Sequence, residues 1–215
     1  MLQSLQTSRA MLRGHASNNQ GIVEFALPHT LALTFFPSWI AGLQQEFGEI
    51  RSRLTALNVH DAALRLVEGG CDFLIAYHHP SQPLQLDPDR FDMVVLGQEL
   101  LAPFAKVSDT GKSLFELRAS GHKSTPYLAY ASGAYLGHVV EFLLNDIKVT
   151  MPLNRVYETD MAESLKAMAL EGHGVAFLPF SAVQKEVLEH KLTQVHLSKG
   201  PSLQVAMEIR AYRQK

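Results

Sequence analysis

Short apolar runs alternate along the chain with longer stretches in which apolar residues recur at helical spacing, and the pattern starts near residue 21. Residues 21–27 (GIVEFAL) read as a strand. Phe36, Ile40, Leu43 and Phe47 then fall at i, i+4, i+7 and i+11, one face of a helix, with Pro37 early enough for its missing N–H to be tolerated. Residues 50–57 (IRSRLTAL) alternate as a second strand, Asn58 to Asp61 supply an N-cap ahead of Ala63, Leu66 and Val67, and Gly69 and Gly70 stop that helix. Residues 73–77 (FLIAY) read as a buried third strand and 78–92 (HHPSQPLQLDPDRFD) as a polar, proline-marked loop. Residues 21 to about 97 therefore hold one βαβαβ unit.

A second unit follows in the same style. It comprises strands at 100–105 (LLAPFA), 126–130 (PYLAY), 154–158 (NRVYE) and 175–179 (VAFLP), an amphipathic stripe of Leu136, Val139, Val140, Leu143 and Leu144, and a helix carrying Met161, Leu165 and Met168. Two such units predict an α/β fold of two lobes with a largely parallel sheet. Such lobes bury ligands between them, where strand ends and helix N-termini converge. Residues 203–213 (LQVAMEIRAYR) alternate as a terminal strand returning toward the first lobe. The expected division is 1–20 as the end of a helix and a turn, 21–97 plus about 206–215 as the first lobe, and 98–205 as the second. Residues 1–20 lack the apolar h-region and small-residue cleavage site of a secretory signal.

With 215 residues, 47% apolar and 19% charged, and mean hydropathy near zero, the chain has the profile of a soluble globular protein with a sizeable core. Nineteen Lys plus Arg against twenty-one Asp plus Glu leave a charge of −2, without the basic excess of a free-standing nucleic-acid-binding domain. The single cysteine, Cys71, excludes an internal disulfide and a Cys-based metal cage, and suits a reducing, cytoplasmic address. No stretch reaches the roughly 18 consecutive apolar residues of a membrane span. Of the ten histidines, His78 and His79 would point to opposite faces of a strand, and His60, His122, His138, His173, His190 and His196 show no paired ligand spacing. Neither a metal nor another cofactor is expected. Nor does the chain carry a Gly-x-Ser-x-Gly elbow, a phosphate-cradling Gly-rich loop, a Cys/His pairing motif or a close carboxylate dyad, so no catalytic residue is expected. A two-lobed small-molecule enzyme remains the alternative from another class, because fold does not fix function.

Candidate ligand contacts come from the turns that open helices. Pro28, His29 and Thr30 separate the first strand from its helix, where unpaired N–H groups favour an anionic or strongly polar group, a carboxylate first of all. Ala131, Ser132 and Gly133 form the equivalent turn in the second lobe, with small side chains that allow close backbone approach. His29 and His60 can both donate and accept as neutral imidazoles.

Three stretches in the right order resemble the effector-binding domain of LysR-type transcriptional regulators: FFPSWIAGLQQEFGEIRSRL, DAALRLVEGGCDFLIAY and MAESLKAMALEGHGVAFLPFSAVQKEVLEHKL. The second carries Leu66, Gly69 or Gly70, and Asp72 of a "Leu-x-x-Gly-x-x-Asp" countdown. The third carries Met168, Gly172, Gly174, Leu178 and Pro179 of a "Met-x-x-x-Gly-x-Gly-hydrophobic-x-x-Leu-Pro" signature. The resemblance implies two Rossmann-like lobes of periplasmic-binding-protein type II architecture, a small-molecule effector such as an amino acid or organic acid, and a homodimer or homotetramer. It also implies that DNA is contacted only by a winged helix-turn-helix unit for which this sequence offers no candidate, with residues 1–20 as the end of the linker helix. By the same resemblance, effector contacts fall on the two turns, on Asn58 and His60, on Ala102 and Pro103, and on Glu158 and Thr159, with Tyr77 and Phe177 as walls. Helix capping explains Thr30, Ser132 and Thr159 equally well. Pairing through Trp39 and Leu43, or Leu136 and Val140, competes with burial of those residues in their own lobe. Oxidant sensing through Cys71, Met161 or Met168 is the rival within regulation, since some family members respond that way.

Overall fold

Strand β1 (Ile22–Pro28) runs directly into helix α1 (His29–Thr34), followed by α2 (Phe36–Phe47), β2 (Arg51–Leu57), α3 (Val59–Val67) and β3 (Phe73–His78). These belong to a computed structural model that describes residues 21–119, 124–146, 151–198 and 200–215. The helix end expected in residues 1–20, and His122, lie outside the described residues. The three strands are parallel in the order β2-β1-β3, as a βαβαβ unit requires. The expected turn at Pro28–Thr30 is instead the start of α1. Pro37 explains the break that follows: without an N–H it cannot bond back to Leu33, so the chain kinks at Phe35 and α2 begins afresh with proline in its first turn. The predicted apolar face of α2 is only partly buried. Phe36 and Trp39 pack against Phe25, with ring centroids 5.1 and 5.9 Å away, whereas Phe47 is 69% exposed.

Strand β4 (Phe91–Lys106) is far longer than the expected 100–105. After it come β5 (Leu117–Arg118), β6 (Thr125–Tyr130), α4 (Tyr135–Asp146), β7 (Leu153–Thr159), α5 (Ala162–Leu170), β8 (Val175–Pro179), α6 (Phe180–Leu188), β9 (Leu192–Gln194), β10 (Leu197–Ser198) and β11 (Val205–Gln214). A second parallel set, β8-β6-β7, repeats the first. Strands β4 and β11 join the two sets. All of β11 pairs antiparallel with β4 from Phe91 to Leu101, β11 also lies beside β3, and the rest of β4 lies beside β8 and β9. The result is one hydrogen-bonded nine-stranded sheet in the order β2-β1-β3-β11-β4-β8-β6-β7, with β9 on β4 and a separate β5/β10 pair. Its two halves are bridged at a register shift between Ile209 and Arg210, opposite Gly97 and Val95.

The largest core cluster runs through both halves, from Phe25 and Leu27 to Phe104, Phe177 and Leu178, and a smaller one lies where α3 covers Ala26, Leu74 and Ala76. Among the described residues, no helix is long and apolar enough to cross a membrane.

Candidate functional site

A cleft of about 970 Å³ opens at the carboxyl ends of the parallel strands of both halves. From the first half it is lined by Pro28, His29 and Thr30 where β1 passes into α1, by Asn58 to Asp61 where β2 passes into α3, and by Tyr77 near the end of β3. The second half contributes Ala131 to Tyr135 before and at the start of α4, and Thr159 to Met161 between β7 and α5. Leu84 and Leu86 of the 78–92 loop add an apolar wall, one that loop's polar composition did not announce.

The local sequence explains why these segments are polar and open. Asn58 and Met161 precede α3 and α5 without making a side-chain cap, so the first-turn N–H groups of both helices receive no acceptor from their caps. Gly133 turns the chain into α4 with φ of 88°, a left-handed conformation that costs glycine little. Ala131 N–H donates to Thr159 O at 2.8 Å, which ties the two second-half turns together. Three helix starts thus present positive dipole ends to one cavity. Among the described residues no lysine or arginine lines it, while Asp61 and Asp160 do.

Of the expected contacts, His29, Thr30, Asn58, His60, Tyr77, Ser132, Gly133 and Thr159 line this cleft, and Ala102, Pro103, Glu158 and Phe177 do not. Ala102 and Pro103 are buried in β4, paired with Leu178 and Phe177 of β8. Phe177 meets Tyr127 edge-on at 6.1 Å in the core. Glu158 points away from the cleft and pairs with Arg155 at 3.7 Å, because adjacent strand residues face opposite sides and its neighbour Thr159 is the one that lines the cavity. Sequence reasoning did not single out Glu163, which lies behind the cleft wall against Thr30. Glu163 Oε2 accepts a hydrogen bond from Thr30 Oγ1 at 3.5 Å across the two halves. No local motif marks that contact.

Burial dominates the electrostatics. It pushes the Tyr77 and Tyr130 phenols well above their ordinary value, so both remain hydroxyls. Beside the cleft, the His79 N–H donates to Tyr135 Oη at 2.8 Å, and burial lowers the pKa of the His79 ring. Of the sulfur groups, Met161 lines the cleft and is 41% exposed. Met168 is half-buried against the core, and burial pushes the Cys71 thiol up to about 11. Among the described residues, no three His, Cys, Asp or Glu side chains gather in a way that could hold a metal.

A family model of the LysR substrate binding domain matches residues 16–214. The chain belongs to that family. Its two-part sheet is the two-lobed, periplasmic-binding-protein-like fold of LysR regulatory domains. Among curated relatives it is 30% identical over 213 residues to the HTH-type transcriptional regulator YjiE of Escherichia coli K12, covering 99% of this chain and 66% of that protein. It is 29% identical to the HTH domain-truncated transcriptional regulator QseD of Escherichia coli O157:H7, covering 99% and 82%. The chain thus spans just under two thirds of the length of YjiE. The regulatory domain of HypT from Salmonella typhimurium, in its apo form, superposes with a TM-score of 0.75 at 25% identity over 90% of this chain and 86% of that one. The chain is a LysR-type regulatory domain, and these relatives are transcriptional regulators.

Proposed function

We propose that this domain senses a small carboxylate-bearing molecule in the cleft and passes a change in lobe orientation to a helix-turn-helix unit that contacts DNA. The observation that carries this reading is the convergence of the α3, α4 and α5 starts on one cavity of about 970 Å³. In this reading residues 21–97 with about 206–215 act as one lobe and 98–205 as the other, in a cytoplasmic homodimer or homotetramer. The effector shifts the equilibrium only through unequal affinity for two lobe arrangements, typically a coupling of ~1–3 kcal/mol. Ser132 offers the cleaner test, since it is exposed in the cleft whereas Thr30 is buried. Ser132→Trp is expected to abolish effector binding in calorimetry with an unchanged unfolding midpoint. Undiminished binding by that variant refutes the site.

A second reading, oxidant sensing, is favoured by the exposed Met161 thioether in the cleft and by the similarity to HypT, itself described as a hypochlorite-specific LysR-type regulator, at 26% identity over the whole of this chain. It predicts that limiting hypochlorite converts Met161 to its sulfoxide before Met168 or Cys71, as peptide mass spectrometry would show. Oxidation of Met168 first, or of all three together, counts against it.

A further inference from the structure

Tyr77 Oη, Tyr130 Oη and Glu163 Oε1 are buried without a hydrogen-bond partner. They come from β3, β6 and α5, so both halves of the sheet contribute. Tyr77 and Tyr130 are 1% and 4% exposed. Both phenols feel the Glu163 carboxylate electrostatically, Tyr77 also feels Glu99 and Tyr130, and Tyr130 also feels Tyr127. Tyr77 lines the cleft, as does Thr30, whose hydroxyl holds the other Glu163 oxygen. Tyr130 and Glu163 lie behind the lining that Tyr77 and Thr30 provide, and leaving three buried polar atoms unpaired is unfavourable and uncommon in folded proteins.

We propose that these three atoms seat a primary ammonium group, so that the effector is an amino acid or a closely related aminated acid. The inference rests on the cleft-binding reading above and deepens it. An ammonium carries three N–H donors, and the seat offers three acceptors: one carboxylate oxygen and two neutral phenol oxygens. Its charge is opposite to that of the Glu163 carboxylate. The rest of the cleft agrees. The helix starts favour a carboxylate, yet Asp61 and Asp160 line the cavity and, among the described residues, no lysine or arginine does, which disfavours an acid carrying net negative charge. A zwitterion satisfies both conditions, with its ammonium at Glu163 and its carboxylate toward the N–H groups of the α3 and α4 starts.

The test is isothermal calorimetry on the whole chain with the twenty proteinogenic amino acids, each paired with its deaminated acid, such as L-alanine with propionate and L-phenylalanine with 3-phenylpropionate. At least one amino acid is expected to bind about 10- to 100-fold more tightly than its deaminated partner, the range of one buried charge-assisted contact. Glu163→Gln is expected to erase that margin by weakening the amino acid about 10-fold or more, with the chain still folded by its unfolding midpoint. Tyr130→Phe should narrow the margin. Equal binding of both members of each pair, or a margin that survives Glu163→Gln, overturns the ammonium seat and leaves the cleft reading standing. No binding by any probe overturns both. If Glu163→Gln unfolds the chain, the paired comparison on the unaltered protein still decides.

Discussion

Cys71 owes its chemistry to where it lies. Burial raises its thiol to about 11, Asp72 and Glu24 add to the rise, and Arg65 opposes it. At pH 8 the thiolate is then scarce, and alkylation by iodoacetamide is expected to be about 100-fold slower in the native chain than in the unfolded one. Comparable rates, followed by mass spectrometry, would contradict this burial. Gly174 answers to space rather than charge. A Cβ built there sits 2.7 Å from Pro126 O, a backbone atom of the neighbouring strand that cannot swing aside. Gly174→Ala is therefore expected to lower stability by ~1–3 kcal/mol, seen as a reduced urea midpoint at unchanged slope.

At the scale of elements, the end of β3 joins the two halves. The His79 N–H donates to Tyr135 Oη, the ring sits 5.3 Å from that of Phe142 on α4, and Nδ1 lies 2.6 Å from Ser81 Oγ. Burial lowers the pKa of His79, and burial, followed by the Arg210 guanidinium, lowers that of His78. Both rings bind a proton less readily folded than unfolded, so the unfolded chain takes up more protons just below pH 6.5. Stability is accordingly undiminished by these two groups above about pH 6.5 and falls as the pH drops below it. Thermal melts between about pH 5 and 7 should show that slope, and His78→Gln with His79→Gln should flatten it. An unaltered slope in the double variant would mean that other groups set it.

Across the whole molecule, the two long strands are reinforced by a polar chain. Glu99 of β4 accepts from Leu100 N at 3.0 Å, Ser181 N at 3.2 Å and Ser181 Oγ at 2.5 Å. Ser181 Oγ lies 3.1 Å from Thr34 Oγ1, which in turn donates to Thr30 O in the cleft wall. With the Ser181 proton on Glu99 and the Thr34 proton on Thr30 O, hydrogen bonds tie β4 to the α6 start, and α1 adjoins them through the contact of the two hydroxyl oxygens. Ser181→Ala leaves the buried Glu99 carboxylate short of a donor and is expected to cost ~1–3 kcal/mol in urea unfolding. A loss below about 0.5 kcal/mol would show that water replaces the hydroxyl.

Periodicity along the chain specified the two α/β units, the strand at 175–179 and the helices starting near 36 and 135, because alternation and helical spacing are properties of near neighbours. The same local reading stopped β4 short. Its first half is largely exposed in the middle of the sheet's crossover, and only pairing with β11 makes it a strand. It also passed over α1, whose end is set by Pro37. Most expected contacts lay in turns that open helices, a signal written in small and polar residues, and they reached the cleft. Glu158 did not, since strand alternation assigns it and Thr159 to opposite faces. Thr30 and Glu163 carry no joint motif: the start of a helix in each half brings them to a 3.5 Å contact, so their meeting was decided by tertiary structure alone. Local spacing encodes which faces are apolar, whereas the convergence of distant polar atoms depends on how the two halves of one sheet are joined through β4 and β11.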